Sequence, residues 1–119
     1  MKAAIYVRVS TDKQEVENQL IDLRRYCEAS GWEIFHEYAD IMSGAETRRP
    51  AFAELFRAAH QRRFDALLFW DLSRFSRSGT LYTLQKFKEL DNLGIKWHSY
   101  QEPMISSLGD WGPTIISSR

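Results

Sequence analysis

The fold is decided by an early stretch, Ala3-Ala4-Ile5-Tyr6-Val7-Arg8-Val9-Ser10-Thr11, which changes from apolar to polar. The β-branched residues within its apolar part predict a buried strand that only Arg8 interrupts. Ser10 and Thr11 then open a polar turn. Because ligands of α/β proteins bind at the carboxyl edge of the sheet, Arg8 and Ser10 stand where a site is expected.

Length and composition indicate one ordinary globular domain. The chain has 119 residues, of which 44% are apolar and 27% charged. Sixteen basic residues balance sixteen acidic ones, so any nucleic-acid site must be a local cluster of charge. The single cysteine, Cys27, excludes an intrachain disulfide and argues against a cysteine zinc site. No leader or membrane-spanning run is visible, and a cytoplasmic protein is expected.

Alternating periodicities predict the order of the elements. We predict strands over residues 3–9, 32–38, 66–70 and 95–98. We predict helices over residues 15–30 and 50–62, and from Ser78 or Thr80 to Gly94. The buried stripe of the last helix is predicted to be Leu81, Leu84, Phe87 and Leu90. The predicted fold is a three-layer α/β/α domain around a mixed, mostly parallel sheet of four or five strands.

Three separated motifs resemble those of the serine recombinases, the resolvase/invertase family. The first is Y-x-R-V-S-T-x-x-Q, from Tyr6 to Gln14, with Gln19 following it. The second is Ser43-Gly44 followed by Arg49-Pro50-x-Phe52, which looks like the family's loop into its second helix. The third is Leu72-Ser73-Arg74-Phe75-Ser76-Arg77, which resembles the family signature L-D-R-x-x-R. Asp65, which precedes the predicted strand over residues 66–70, matches an acidic position of the family.

The resemblance implies a set of site residues. It makes Ser10 the nucleophile and places the catalytic arginines at Arg8, Arg49, Arg74 and Arg77, with Arg48 as the fallback for Arg49. It makes supporting residues of Gln14, Gln19, Asp65 and Ser73. Ser73 departs from the family, which has aspartate at this position; Asp71 could supply that carboxylate, or the chain could be an impaired member.

The resemblance also implies a reaction and its partners. The reaction is site-specific recombination of double-stranded DNA through a 5′-phosphoserine intermediate, without ATP, metal or organic cofactor. The partners are DNA and further copies of the chain, first in a dimer and then in a synaptic tetramer, with no membrane. Residues 1–119 are expected to be the catalytic domain, cut before a long dimerisation helix and a DNA-binding domain. A helix that begins near Pro113 and stops at Arg119 favours this boundary.

The residue chemistry agrees with phosphate as the target. An arginine stays protonated and presents a planar fork that matches phosphate oxygens. Attack by a serine hydroxyl on a phosphodiester builds charge that preorganised arginines stabilise, and no histidine stands near Ser10 to serve acyl chemistry. The three histidines, His36, His60 and His98, fit no metal-ligand spacing.

Two other interpretations stay open. The first is a catalytically weakened DNA-associated assembly module of the same fold, suggested by Ser73 and by the cut tail. The second is a phosphate-binding flavodoxin-like domain. Its expected glycine-rich loop after the first strand is missing, because residues 10–17 contain no glycine.

Overall fold

The computed structural model describes residues 1–9, 13–41, 49–71 and 80–102. Its strands are β1 (Lys2–Val9), β2 (Glu33–Ile41), β3 (Ala66–Phe69) and β4 (Lys96–Ser99). Its helices are α1 (Lys13–Ser30), α2 (Pro50–His60) and α3 (Thr80–Asn92). Strands and helices alternate as predicted. The main difference in bounds is β2, which continues to Ile41, so that Asp40 belongs to this strand although the predicted strand ends at residue 38.

The sheet has the strand order β2-β1-β3-β4, and every pairing among the described strands is parallel. β1 lies inside the sheet, which explains its nearly unbroken apolar sequence, because helices cover both faces of such a strand. Arg8 pairs with Asp40 across β1 and β2, and Tyr6 pairs with Phe69 across β1 and β3. The carboxyl ends of β1, β2 and β3 therefore meet at one edge.

Two apolar clusters, one on each face of the sheet, hold the three layers together. On one face α1 packs Leu20, Leu23 and Cys27 against Ile5 and Val7 of β1. On the other face α2 and α3 pack against alternate strand residues; this cluster includes Tyr6, Phe69, Phe52, Leu55, Phe87 and Leu90. The predicted α/β/α arrangement and the burial of Cys27 are confirmed.

Two glycines end helices in the way that the sequence predicts. Gly31 after α1 and Gly94 after α3 have φ angles of 74° and 76°. Residues with a side chain rarely adopt such φ angles, whereas glycine adopts them without a steric penalty. In the described ranges, no helix is long and apolar enough to cross a bilayer.

The predicted buried stripe of α3 is half wrong. Phe87 and Leu90 are buried, whereas Leu81 and Leu84 are 70% and 58% exposed. Phe87 lies one turn before Leu90 and Thr83 two turns before it, and both side chains point inward. Thr83 is buried despite its hydroxyl. Spacings of four and three residues place Thr83, Phe87 and Leu90 on one side of the helix. The prediction included Leu81 and Leu84 because they are apolar, and it left out Thr83 because threonine is polar.

Candidate active site at the carboxyl edge of the sheet

Arg8 is a buried cation near the end of the inner strand β1. Only 5% of it is exposed. It lies two residues beyond Tyr6, and successive side chains of a strand alternate between faces, so it shares with Tyr6 the face covered by α2 and α3. Its register partner on β2 is Asp40. The predicted position of Arg8 at the carboxyl edge agrees with this arrangement.

Asp40 organises this edge, although no motif in the sequence assigns it a role. Its Oδ2 accepts the hydroxyl of Tyr6 at 2.8 Å and the backbone N–H of Phe52 at 3.0 Å. Its Oδ1 accepts the backbone N–H of Ala51 at 2.9 Å. One carboxylate, 4% exposed, thus joins β1, β2 and the first turn of α2.

These bonds make Asp40 the capping side chain of a helix to which it does not belong. Arg49 occupies the N-cap position of α2 and makes no side-chain cap bond of its own. The N–H groups of a helix's first turn need partners, and Asp40 supplies two of them from β2. Since a carboxylate already occupies this helix N-terminus, the start of α2 does not serve as a phosphate-binding site. The backbone N–H groups of Ala51 and Phe52 are therefore not free to bind an anion.

Arg49 is half-buried beside that cap and faces aromatic side chains. Its Cζ lies 3.8 Å from the centroid of the Phe52 ring and 5.8 Å from that of Tyr82. Its Nη2 donates to the hydroxyl of Tyr82 on α3 at 3.3 Å. The guanidinium is therefore fixed by residues of two helices at their ends nearest the carboxyl edge.

The electrostatics of Tyr6 show how closely these groups are coupled. Burial of its ring raises the pKa of the Tyr6 hydroxyl well above its ordinary value, and the neighbouring Asp40 carboxylate raises it further. The Arg49 guanidinium acts in the opposite direction and lowers the pKa of the same hydroxyl. Tyr6 stays protonated and acts as a hydrogen-bond donor to Asp40.

The two predicted supporting glutamines lie on the first turns of α1, near the same edge. Gln14 is exposed and its Nε2 donates to Oδ1 of Asn18 at 3.2 Å. Gln19 is 3% exposed and its Nε2 donates to Oε1 of Glu15 at 3.2 Å. Within the described ranges, the buried Oε1 of Gln19 has no hydrogen-bond partner. Gln14 and Gln19 are therefore near the site but differ in accessibility.

Asp65 lies at the opposite edge of the sheet. Its Oδ2 accepts the backbone N–H of Lys2 at 2.9 Å, and its own N–H donates to the Lys2 carbonyl at 2.8 Å. Lys2 begins β1 and Arg8 stands near its end, so about 20 Å of strand separates Asp65 from Arg8 at ~3.3 Å per residue. The structure does not bring Asp65 together with those predicted site residues that it describes; the contacts of Asp65 with Lys2 tie the start of β3 to β1.

Several predicted site residues lie outside the described ranges: Ser10, Arg48, Ser73, Arg74 and Arg77. Their connections to the sheet are nevertheless described. Ser10 directly follows Val9, the last residue of β1. Residues 72–79 follow Asp71, which is half-buried just beyond β3. The strand ends that precede both segments lie at the edge that Arg8 occupies, and the convergence of the site side chains stays a prediction.

Comparison with known proteins agrees with this geometry. The family model described as Resolvase, N terminal domain, matches residues 3–110. The crystal structure of the N-terminal catalytic domain of TP901-1 integrase is 34% identical, with a TM-score of 0.77, over 99% of this chain and 92% of that one. The C-terminal catalytic domain of ISC1926 TnpA, an IS607-like serine recombinase, is 29% identical, with a TM-score of 0.74, over 83% of this chain and 69% of that one.

A resolvase family site-specific recombinase from Streptococcus pneumoniae is similar in fold, with a TM-score of 0.77 at 22% identity, over 99% of this chain and 84% of that one. No curated protein sequence matches the chain. The family match covers most of the chain and includes β1, both arginine-bearing segments and the edge where Arg8 lies. The chain therefore belongs to the resolvase family of serine recombinases, the enzymes of site-specific DNA recombination.

Proposed function

We propose that Ser10 is the nucleophile of DNA strand exchange at this edge. Its Oγ loses the hydroxyl proton and attacks a phosphodiester, an Oγ–P bond forms, the P–O3′ bond breaks, and the released 3′ oxygen takes up a proton. The protein is then joined to a 5′ phosphate, and attack by a 3′ hydroxyl reverses the step and rejoins DNA without ATP. The observation that carries the proposal is the buried Arg8 near the end of β1, two residues before Ser10 in the sequence.

Charge is the main contribution that we assign to the arginines. Arg8 is already desolvated, so its field acts more strongly on a developing negative charge than it would in water. Arg49 is held at the start of α2 by its hydrogen bond to Tyr82. In this proposal Arg74 and Arg77 complete the set from the segment that follows β3. Each fixed donor of this kind is commonly worth about 10²–10³ in rate.

The supporting residues receive different roles. We assign Gln14 and Gln19 to the surroundings of the nucleophile, because α1 starts at the carboxyl edge. We assign no part of the reaction to Asp65, which lies at the far edge. Asp71 directly precedes the segment that contains Arg74 and Arg77. In this proposal its carboxylate does the work of the family's aspartate, which is a serine, Ser73, in this chain.

The proposed partners are double-stranded DNA and further copies of the protein, in a dimer that pairs into a tetramer. Cleavage of both strands at two sites needs four nucleophiles, and each chain supplies one Ser10. We also propose that the reaction takes place in the cytoplasm. The full-length protein is expected to carry the dimerisation helix and the DNA-binding domain beyond Arg119.

Trapping of the covalent intermediate on unselected DNA tests this function. The full-length protein is incubated with sheared genomic DNA of its source, denatured, and captured together with any attached DNA. We expect denaturant-resistant adducts whose DNA ends map to discrete sites and whose attachment is Ser10. The matched control, Ser10→Ala, should bind the same DNA and give no adduct. Adducts that persist in this variant would overturn the assignment of Ser10, whereas binding without adducts in the wild type would favour the weakened assembly module.

A further inference from the structure

We propose that Tyr82 is a positioning residue that orients the Arg49 guanidinium toward the phosphodiester, an inference that rests on the proposed function. Tyr82 is on α3, 33 residues from Arg49, and accepts a hydrogen bond from its Nη2 at 3.3 Å. Neither the family match nor the sequence motifs assign a role to this tyrosine. The contact links the helix that follows the Arg74–Arg77 segment to the arginine that precedes α2.

Two aromatic residues fix different aspects of the guanidinium. The ring of Phe52 lies under its Cζ at 3.8 Å and so holds the guanidinium against its face. The Tyr82 hydroxyl then restricts the rotation of the guanidinium above that ring, since it takes one specific N–H, and the Tyr6 hydroxyl also hydrogen-bonds to Arg49. A guanidinium has five N–H donors, so this bond is compatible with a bidentate contact to phosphate. An arginine held in this way loses little further side-chain freedom when it binds the phosphodiester.

Tyr82 is itself held in place by a rigid support. Phe87, five residues further along α3, stacks on Trp97 of β4 with centroids 3.9 Å apart and on Phe69 of β3 at 6.0 Å. Lys86 lies 5.6 Å from the Tyr82 ring and 4.6 Å from the ring of Phe56 on α2. These contacts anchor α3 to both the sheet and α2, so that Tyr82 can fix Arg49 and does not merely follow it.

The coupling has a functional consequence. α3 begins directly after the segment that contains Arg74 and Arg77, and Tyr82 stands in its first turn. The orientation of Arg49 is in this way set by contacts within the protein, before DNA arrives. Such preorganisation lowers the barrier of the chemical step and affects DNA affinity little.

The experiment compares Tyr82→Phe, which removes only the hydroxyl, with Tyr82→Leu, which also removes the ring. Leu81→Ala, at the exposed neighbouring position, is the matched control. The rate of adduct formation is measured with full-length protein at saturating concentrations of the DNA fragment recovered by trapping. We expect a loss of about tenfold for Tyr82→Leu and a smaller loss for Tyr82→Phe, because small misplacements of a catalytic group are costly. DNA affinity and the control's rate should stay within about twofold.

Two further measurements separate positioning from packing. Nitrogen-15 spectra of the Arg49 side chain should show faster rotation of its guanidinium in Tyr82→Phe. In an Arg49→Lys background, Tyr82→Phe should have no further effect on the rate, because a residue that acts through Arg49 cannot act without it. An unchanged rate and spectrum in Tyr82→Phe, or an undiminished loss in the Arg49→Lys background, would overturn the inference while leaving the function intact. A wild type that forms no adduct would instead refute the function itself, and with it the purpose of the contact.

Discussion

Tyr6 donates its hydroxyl to Oδ2 of Asp40 at 2.8 Å, deep between β1 and β2. The same carboxylate caps α2 through Ala51 and Phe52, so a single acidic side chain fixes three elements relative to each other. This explains why β2 continues to Ile41, beyond the strand that its sequence predicts. It also fixes the point at which α2 begins, and therefore the backbone from which Arg49 extends.

Replacement of Asp40 by alanine should lower the free energy of unfolding by about 2–4 kcal/mol. The variant leaves the Tyr6 hydroxyl and two amides of α2 without their acceptor, and such losses commonly cost about 1–3 kcal/mol per buried group and about 1 kcal/mol for a cap. Tyr6→Phe should lower the free energy of unfolding by only about 1 kcal/mol, because Asp40 still accepts the backbone N–H groups of Ala51 and Phe52. Urea unfolding followed by circular dichroism measures both. Glu28→Ala, at an exposed position of α1, is the control, and an equal loss in this variant would contradict the network.

The arginines should separate into two groups in the trapping assay. Arg8→Ala and Arg49→Ala should each slow adduct formation by about 10²-fold or more, because both side chains lie at the carboxyl edge. Arg57→Ala should leave the rate nearly unchanged, since Arg57 is exposed on α2 and pairs with Glu54. Unfolding curves must first show that Arg8→Ala is folded, and Arg8→Lys provides a milder variant that keeps the charge. Equal effects at Arg8 and Arg57 would mean that general surface charge, and not this site, promotes cleavage.

The ion pair between Arg24 and Glu37 should stabilise the protein at neutral pH and not in acid. The guanidinium donates two bonds to the carboxylate, at 2.5 and 2.8 Å, and these bonds hold the pKa of Glu37 below its usual range although burial opposes them. A carboxyl with a lowered folded-state pKa contributes stability above its unfolded-state pKa of about 4.3 and loses it as pH falls through the folded-state pKa. Arg24→Ala should therefore cost about 0.5–1 kcal/mol at pH 7.

The measurement for this pair is urea unfolding of wild type and Arg24→Ala from pH 7 down to pH 3. The difference between them should shrink through that range, because a protonated Glu37 no longer attracts a cation. Arg25→Ala, on the exposed side of α1, should show no comparable pH dependence. A difference that stays constant to pH 3 would indicate lost packing of the Arg24 stem instead of a lost ion pair.

Local sequence patterns predicted the elements well and the contacts between them poorly. The β-branched run of β1, the glycines after α1 and α3, and Pro50 at the start of α2 are signals that act within a few residues. Asp40 and Tyr82 gave no such signal. The cap from Asp40 depends on the packing of α2 beside β2, and the contact of Tyr82 with Arg49 depends on where α3 docks. Asp65 shows the converse: a sequence match suggested a site residue, and topology placed it at the far edge.

Cys27 should be inert in the folded protein. Its side chain is fully buried against the sheet, and burial raises the pKa of the thiol to about 11. At pH 8 only about 0.1% of the thiol is then ionised, and thiolate is the reactive form. We expect no reaction with an aromatic disulfide reagent at pH 8 until urea unfolds the chain, after which one thiol per chain should react. Rapid reaction of the native protein would show that α1 opens readily at this position.

The corrected face of α3 can be tested by truncating one leucine on each side of the helix. Leu90 is fully buried and belongs to the cluster between α2, α3 and the sheet, so Leu90→Ala should cost about 2–5 kcal/mol. Leu84 is 58% exposed, and Leu84→Ala should change the free energy of unfolding by less than about 0.5 kcal/mol. Both substitutions remove the same atoms from the same helix, so helix propensity cancels in the comparison and burial alone decides the difference. Comparable losses at both positions would restore the stripe expected from the sequence, and would mean that Leu84 packs against a part of the protein that covers it in solution.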